Sequence, residues 1–323
     1  MGFFDTILWP FRMAVSWVLR VCHEGLGFLG LDPQSGWNWA LSIVLLVIVI
    51  RSALIPVFVK QIKAQRAMQA LQPELRKLQA KYKGKKDQLS QQAMIAEQRE
   101  LFKKHKTNPL SSCLPLLIQM PFFFALFTVL NNAHVASDAG EGIGALTAEQ
   151  THNFAVSSIF GAGLSETFLG TFNSGSPQVQ VIVLSVVMII AMVASQFITQ
   201  RQIMTKNMTK EALEGPFMQQ QKMMLYILPL VFGIGGINFP IGVLIYWTAT
   251  NVWTLAQQYY IIRRNPTPGS QAERELNERR AAKGLPPIGQ KRKDEAEAAQ
   301  ARAVAIEAKG QRAQPQRKNR RKK

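Results

Sequence analysis

Long apolar runs separated by strongly polar segments define the pattern of this chain. Runs of this length with almost no charge are typical of membrane-spanning helices, which need about 20 mainly apolar residues. The last run, 223–262, is about twice that length, and Asn238-Phe239-Pro240 interrupts it, so we divide it there. The pattern therefore predicts five spans, at about 37–59, 110–131, 178–200, 223–239 and 241–262.

The distribution of Lys and Arg predicts how these spans are oriented. Residues 61–106 carry twelve basic and four acidic side chains, whereas the loop between the second and third spans carries no Lys or Arg. Short loops rich in Lys and Arg stay in the cytoplasm. We therefore predict an all-α integral membrane protein with its N-terminus outside and its C-terminus in the cytoplasm. The predicted loops are cytoplasmic at 61–106 and 201–222 and outer at 132–177.

The polar segment 61–106 is too charged to span a membrane and has helical periodicity instead. Its pattern predicts two helices, Gln61–Tyr82 and Asp87–Lys104, which form a cytoplasmic helical hairpin. Such a hairpin is either a solvated structural element or a docking platform for an arriving chain, and the residues leave both roles open.

The two ends of the chain lie outside the predicted five-span core, 37–262. Within the first segment, 1–36, residues 3–24 place polar and apolar side chains on opposite helical faces. This is typical of a helix that lies on the outer membrane surface, and packing against the bundle is compatible with it. The last segment, 263–323, holds 18 basic and 7 acidic residues, so we predict a basic cytoplasmic tail that is disordered or partly helical. Its charge favours a polyanion, either ribosomal RNA or anionic lipid headgroups.

One charge interrupts the first predicted span. Arg51 is the only charged residue between Trp37 and Val59. At 1.5 Å per residue it lies about 21 Å along a helix that starts at Trp37, past the midplane of a hydrocarbon core about 30 Å thick. An arginine there costs about 2.5–3.5 kcal/mol on insertion scales and marks a functional site. The alternative is a shorter span, from whose end the flexible Arg51 side chain reaches the headgroups.

The sequence has no pattern that indicates catalysis or metal binding. Its four histidines, at 23, 105, 134 and 152, lie outside the predicted spans, and no common metal-binding or nucleotide-binding motif occurs. No Asp or Glu lies in any span, which argues against a proton relay. We therefore predict no enzyme activity, no cofactor and no metal site.

Three sequence blocks resemble those of one known family. They are IVIRSALIPVFVKQ at 48–61, extended by MQALQPELRKLQAKY at 68–82, NPLSSCLPLLIQMPFFFALF at 108–127 and FPIGVLIYWTATNVWTLAQQ at 239–258. These blocks and their order resemble the YidC family of membrane-protein insertases, to which the mitochondrial oxidase-assembly and chloroplast albino proteins are related. The chain shows neither the first span nor the large periplasmic domain of Gram-negative members, which suits an actinobacterial-type member.

The resemblance implies a polar groove in the inner leaflet, open to the cytoplasm and to lipid but closed on the outside. The groove arginine of the family falls on Arg51, and Gln119 and Trp247 match positions that line the same groove. Taken alone, Gln119 is also a residue type that forms hydrogen bonds between membrane helices. The second and fourth spans form the apolar slide of such proteins. The slide residues implied on the second span are Pro121, Phe122 and Phe123.

The implied function is that of a membrane-protein insertase and chaperone in the bacterial plasma membrane. It takes transmembrane segments of its substrates through the groove into the lipid bilayer. The implied partners are nascent membrane proteins, membrane lipid, the ribosome through the basic tail, the Sec translocon and the receptor of the signal recognition particle. Two other classes compete with this function: a small-anion channel or transporter that uses Arg51 as an anion site, and a non-translocating membrane assembly scaffold.

Overall fold

The computed structural model describes residues 3–85, 87–105, 107–108, 114–208 and 216–288 of the chain. These residues are mostly helical and include one short β hairpin. In chain order, the elements are α1 (Phe3–Phe28), α2 (Gly36–Ala53), α3 (Ile55–Ala70), α4 (Gln72–Lys81), α5 (Gln88–Lys104), α6 (Leu114–Asn131), α7 (Ala133–Asp138), α8 (Ala148–Val156), β1 (Ser158–Ile159), β2 (Ala162–Gly163), α9 (Phe168–Asn173), α10 (Val179–Asn207), α11 (Pro216–Gly236), α12 (Ile241–Arg264) and α13 (Gln271–Ala281).

Among the described residues, α2 and α10 are long and apolar enough by themselves to cross a membrane. Shorter apolar stretches, Leu117–Asn131 and Leu225–Gly236, lie in α6 and α11. The predicted break in the last apolar run is confirmed, because α11 ends at Gly236 and α12 begins at Ile241. In the bundle, α10 packs against α11 and α12, α12 packs against α2, and α6 contacts α1 and α12.

The first span differs from its predicted bounds, Trp37–Val59. Helix α2 ends at Ala53, Leu54 forms a turn, and α3 begins at the next residue. Pro56 has no N–H to donate to the carbonyl of Ser52, and its ring crowds that carbonyl, so a continuous helix is disfavoured here. Arg51 therefore lies in the last turn of α2, beside a helix break.

The polar segment after α3 folds as a helical pair, α4 and α5, which pack against each other. The first helix predicted in this segment, Gln61–Tyr82, is divided between α3 and α4, with Leu71 at the break and Pro73 in the first turn of α4. A small apolar cluster joins the pair to the end of α3. It consists of Met68, Leu71, Leu75, Leu101 and Phe102.

The connection between α6 and α10 forms a folded cap, which contains α7, α8, the β hairpin and α9. The backbone N–H groups of Ile241 and Gly242 donate hydrogen bonds to the carbonyls of Glu166 and Leu164, at 3.0 and 2.9 Å. These bonds tie the cap to the first turn of α12. The end of α6, the start of α10 and the α11–α12 turn therefore meet at the capped end of the bundle.

Buried apolar side chains concentrate at this capped end. The members of the largest buried cluster that lie on α2, α6 and α12 are Trp39, Ala40, Ile43, Leu46, Val47, Ala125, Leu126, Val129, Leu130, Ile241, Val243 and Tyr246. Toward the other end, α12 buries only Tyr246 and Ile262 beyond Leu244. On α6, none of the described side chains between Leu114 and Phe124 is buried. The bundle is thus closed at the cap and loosely packed at the opposite end.

Helix α1 packs against α2 and α6 and turns polar side chains toward the protein. The buried hydroxyl of Ser16 accepts a hydrogen bond from the backbone N–H of Ala145 in the cap, at 2.8 Å. The buried ring of His23 stacks on Trp39 with the ring centroids 3.7 Å apart. Packing against the bundle is therefore established for α1, while apolar residues such as Trp17 face outward.

The start of the C-terminal tail is folded as helix α13, so of the two predicted states of 263–323, disordered or partly helical, the described part is helical. Helix α13 packs against α10 and α12. Lys206 on α10 forms an ion pair with Glu275 at 2.7 Å, and the side chain of Asn207 accepts a hydrogen bond from the backbone N–H of Thr267 at 2.9 Å. The prediction rested on composition averaged over the whole segment, whereas α13 is held by contacts with the end of α10, far away in the chain. The basic C-terminal end, predicted to bind a polyanion, lies outside the described residues.

Candidate functional site

Arg51 is a buried cation with little compensation from the protein. Only 8% of its surface is exposed, and its guanidinium carbon lies 5.3 Å from the ring centroid of Phe58, across the break between α2 and α3. Among the described residues it forms no ion pair with Asp or Glu. A cation–π contact contributes about 0.5–2 kcal/mol, whereas burying an ion costs several kcal/mol. The site is therefore suited to receive an anionic group from another molecule.

Gln119 and Tyr246 connect two further helices to this site. The side-chain amide nitrogen of Gln119 on α6 donates a hydrogen bond to the hydroxyl of Tyr246 on α12, at 2.8 Å. Tyr246 is buried, and its hydroxyl interacts electrostatically with the guanidinium of Arg51. Side chains from α2, α6 and α12 therefore converge where the closed core ends.

Several buried polar atoms on the helices of the bundle find no hydrogen-bond partner among the described residues. They include the amide oxygen of Gln119, both amide atoms of Gln61 on α3 and the amide oxygen of Gln196 on α10. Leaving such an atom unpaired costs about 1–3 kcal/mol, and buried sites with several polar groups usually hold ordered water. We therefore expect the space beneath the core to be hydrated.

Trp247 lies in an aromatic cluster that joins α6, α11 and α12. Its ring is 4.8 Å from that of Phe232, 4.9 Å from that of Phe123 and 5.5 Å from that of Phe239, measured between centroids. The ring is partly exposed. The neighbouring residue, Tyr246, makes the polar contact with Gln119, so the two adjacent aromatic residues have different surroundings.

The three residues implied for the apolar slide also differ from one another. Pro121 lies inside α6, Phe122 packs edge-to-face on Phe11 of α1 with centroids 5.4 Å apart, and Phe123 belongs to the aromatic cluster. All three are partly buried. The outward side chains of α6 are Leu114, Leu117, Met120 and Phe124.

Tyr246 is the site residue that the sequence analysis did not single out. Its signal is a phenol that ends the apolar run Ile241–Ile245, with Thr248, Thr250 and Asn251 following it. This change from apolar to polar residues marks the level at which α12 leaves the closed core.

The fold and the site define a helical membrane protein with a closed apolar core at one end and, beyond it, a buried arginine that has no ion pair among the described residues. No group of residues suited to hold a metal ion occurs in the part of the chain that the structure describes.

Residues 30–268 match the family described as 60Kd inner membrane protein, and the chain belongs to this family. A relative from Streptomyces avermitilis, named membrane protein insertase YidC, is 50% identical over 269 residues, which cover 82% of this chain and 60% of that protein. A relative of the same name from Tropheryma whipplei is 42% identical over 275 residues, covering 84% of this chain and 88% of that protein. The family predicted from the three sequence blocks is therefore confirmed, and with it a place in the bacterial inner membrane.

One solved structure is also similar to this chain. It is titled "Active YidC insertase crystal structure with the first transmembrane domain resolved". The two chains are 20% identical, the TM-score is 0.43, and the match covers 80% of this chain and 47% of that one.

Proposed function

We propose that this chain is a membrane-protein insertase that passes transmembrane segments of its substrates through the recess at Arg51 into the bilayer. The observation that carries the proposal is the buried, uncompensated guanidinium directly below a closed apolar core. A cation in this place is costly unless it has a partner, and a passing chain with acidic residues supplies one.

The proposed topology has five spans, formed by α2, α6, α10, α11 and α12, with the cap outside. Its support is the charge distribution: the cap carries no Lys or Arg, whereas the opposite end carries α4 and α5, which contain both, and α13, which contains three Arg. This is the distribution that the positive-inside rule describes. The proposed units are an outer helix at 1–36, the insertase core at 37–262 and the basic tail at 263–323, whose beginning is folded.

The proposed mechanism follows from where water and charge lie. A hydrated recess that reaches Arg51 shortens the apolar barrier for a polar substrate tail. At 4 Å, opposite charges attract by about 1 kcal/mol in water and by about 4 kcal/mol at an effective dielectric constant of 20, so Arg51 attracts an acidic residue more strongly here than in bulk water. The apolar segment of the substrate then moves into lipid, and removing its surface from water supplies the driving force.

A path out of the recess is proposed between α6 and α11. Both helices carry exposed apolar side chains, and the aromatic cluster around Trp247 lies between them. The exposed residues of this kind are Leu117, Met120 and Phe124 on α6 and Ile227, Leu230, Val231 and Ile234 on α11. Because these side chains resemble lipid in polarity, a substrate helix exchanges one apolar contact for another as it leaves.

The helical hairpin of α4 and α5 and the basic tail are proposed to bring substrates to the recess. A groove between α4 and α5 is lined by both signs of charge, including Lys77, Lys81, Glu97 and Glu100, which suits contact with varied polar chains. The tail is proposed to hold the ribosome nearby. The Sec translocon and the receptor of the signal recognition particle are further proposed partners.

An anion channel needs a polar path from one side of the membrane to the other. The closed core argues against one, because Ile43, Leu126 and Leu244 are fully or almost fully buried across three helices at the capped end. A scaffold without transport activity does not require an uncompensated cation. Both alternatives are outcomes of the experiment below.

The test is insertion into liposomes that contain only the purified protein. The substrates are two versions of a short single-span protein, one with an acidic and one with an uncharged N-terminal tail. We expect Arg51→Lys to retain most insertion of the acidic-tailed version and Arg51→Gln to reduce it at least tenfold, with smaller effects on the uncharged tail. Equal insertion by all forms would remove Arg51 from the mechanism. Anion flux without insertion would support a channel. The absence of both insertion and anion flux would support a scaffold.

A further inference from the structure

The tip of the β hairpin in the cap holds a phenylalanine in an unfavourable backbone conformation. In this hairpin Ile159 pairs with Ala162, and Phe160 and Gly161 form the two-residue turn, with φ of 52° and 79°. Turns with two positive φ angles favour Asn, Asp or Gly, because a bulky side chain is strained there. Among the described non-glycine residues, Phe160 alone has a positive φ. Backbone strain of this kind concentrates at functional sites.

The ring of Phe160 is not buried in the core of the cap. It is 71% exposed, and it meets Trp37 edge-to-face with the ring centroids 5.1 Å apart. Trp37, the second residue of α2, is itself 49% exposed. The strained turn therefore holds one exposed aromatic ring against another at the start of a candidate span.

The hairpin is held close to α2 at this position. The backbone of Ser158 in β1 approaches Gly36 so closely that a Cβ atom at residue 36 would overlap its carbonyl oxygen. Ile159 and Ala162, which flank the turn, are buried in the large apolar cluster. The height of Phe160 relative to α2 is therefore set by the fold.

The aromatic pair continues the outward surface of α2. Leu41, Ile48 and Val49 on this helix are exposed apolar residues, as expected for a span that faces lipid. At the ends of spans, Trp and Tyr concentrate at the level of the lipid headgroups. A rigid, exposed aromatic pair at the first turn of α2 fits that level.

We propose that Phe160 and Trp37 form an aromatic anchor that inserts into the headgroup and upper acyl region of the leaflet on the capped side. The partner is the lipid bilayer itself. The anchor fixes the depth of α2, and thereby of the cap, relative to that leaflet. This inference requires that α2 crosses the membrane, and it does not depend on the role of Arg51.

Depth-dependent quenching tests the anchor in the full chain. With Cys22 and Cys113 replaced by serine, a polarity-sensitive fluorophore is attached to Phe160→Cys and, as the matched control, to Glu141→Cys at an exposed position of the same cap. The protein is reconstituted into vesicles of phosphatidylcholine and phosphatidylglycerol that carry nitroxides at the headgroup or at defined acyl depths. We expect shallow nitroxides to quench the label at residue 160 at least threefold more than the label at residue 141. Equal, weak quenching at both positions would overturn the proposal.

A second variant tests the proposal without a label. Phe160→Gly removes the ring and suits the turn, so we expect the thermal midpoint in detergent to stay the same or rise. In vesicles we expect the fluorescence of Trp37, isolated as the difference from Trp37→Phe, to shift to longer wavelength and to lose quenching by shallow brominated lipids. No change in either signal would overturn the anchor. Insertion activity at saturating protein should be unchanged, so failure of the anchor is distinguishable from failure of the proposed insertase function.

Discussion

The amide nitrogen of Gln119 donates a hydrogen bond to the hydroxyl of Tyr246 at 2.8 Å, and this bond joins α6 to α12 within electrostatic range of Arg51. The amide oxygen of the same glutamine has no partner among the described residues. The pair therefore closes the core on one side and leaves an acceptor for water on the other. It lies at the level at which apolar packing ends and the proposed recess begins.

Removing this bond tests whether it maintains the recess. Tyr246→Phe leaves the buried amide nitrogen of Gln119 without its acceptor, so we expect the free energy of unfolding to fall by about 1–3 kcal/mol. Insertion of an acidic-tailed substrate should fall several-fold in the liposome assay. Tyr259→Phe is the matched control, because that residue lies on the same helix but is exposed, and we expect a change within about 0.5 kcal/mol. Equal effects of the two substitutions would show that the Gln119–Tyr246 bond has no special role.

The contact between Arg51 and Phe58 is tested by a double-mutant cycle. Arg51→Met and Phe58→Leu each remove one partner and keep an apolar side chain of similar size. We expect a coupling free energy of about 0.5–2 kcal/mol from thermal unfolding of the two single variants and the double variant, the range of cation–π contacts from exposed to desolvated sites. Additive effects would mean that Phe58 does not stabilise the buried cation.

The sequence predicted the apolar elements well because long uncharged runs and helical periodicity depend on local composition. The break near Pro240 followed from such a pattern. Arg51 and Gln119 followed from such patterns or from the family resemblance, and their role in the site stays a prediction. The break after Arg51 was missed although Pro56 was in view, because proline is tolerated in many spans and only the packing decides whether a helix ends there. Tyr246 was missed for a related reason: its role depends on a side chain 127 positions away in the chain, which no local pattern reports.

The folded start of the tail and the strained turn at Phe160 were also outside the reach of the sequence. Helix α13 is held by contacts with the end of α10, including the Lys206–Glu275 ion pair, and long-range contacts of this kind do not alter local composition. A phenylalanine in a hairpin turn contradicts the usual preference for Asn or Gly, so sequence rules point away from the observed conformation. At Phe160 tertiary packing outweighs local propensity, whereas at α13 it determines where a favourable helix docks.

The helical hairpin of α4 and α5 should loosen in acid. Glu97 accepts hydrogen bonds from Lys81 at 2.5 Å and from the hydroxyl of Tyr82 at 2.7 Å, and these contacts, that with Lys81 first, lower the pKa of Glu97. A carboxylate whose pKa is lower in the folded state contributes its full stabilisation above its unfolded pKa, about 4.3, and loses it as the pH falls through the folded value. We therefore expect the α4–α5 contact to weaken below about pH 4.3. The distance distribution between spin labels at Gln79 and Gln92 should broaden over this range.

The control for this pH effect is Glu97→Gln, which keeps a hydrogen-bond acceptor but does not titrate in acid. We expect its label distances to be broader than those of the parent protein at pH 7 and to change less as the pH falls. The side chains are exposed, so added salt should weaken the contact in the parent protein as well. The same broadening with pH in both proteins would assign the transition to another group.

Two truncations separate the folded start of the tail from the basic end. A chain that ends at Ile288 keeps α13, whereas a chain that ends at Arg264 loses the Lys206–Glu275 ion pair and the bond from Thr267 to Asn207. An exposed ion pair contributes about 0–1 kcal/mol and a hydrogen bond about 0.5–1.5 kcal/mol, so we expect the shorter chain to be less stable by about 1–2 kcal/mol. The chain that ends at Ile288 should unfold at the same temperature as the full chain but sediment less with ribosomes at physiological salt, because the basic end is gone. Unfolding of the two truncated chains at the same temperature would mean that α13 does not stabilise the bundle. Full ribosome binding by both chains would mean that the ribosome attaches elsewhere, most simply to the basic hairpin of α4 and α5.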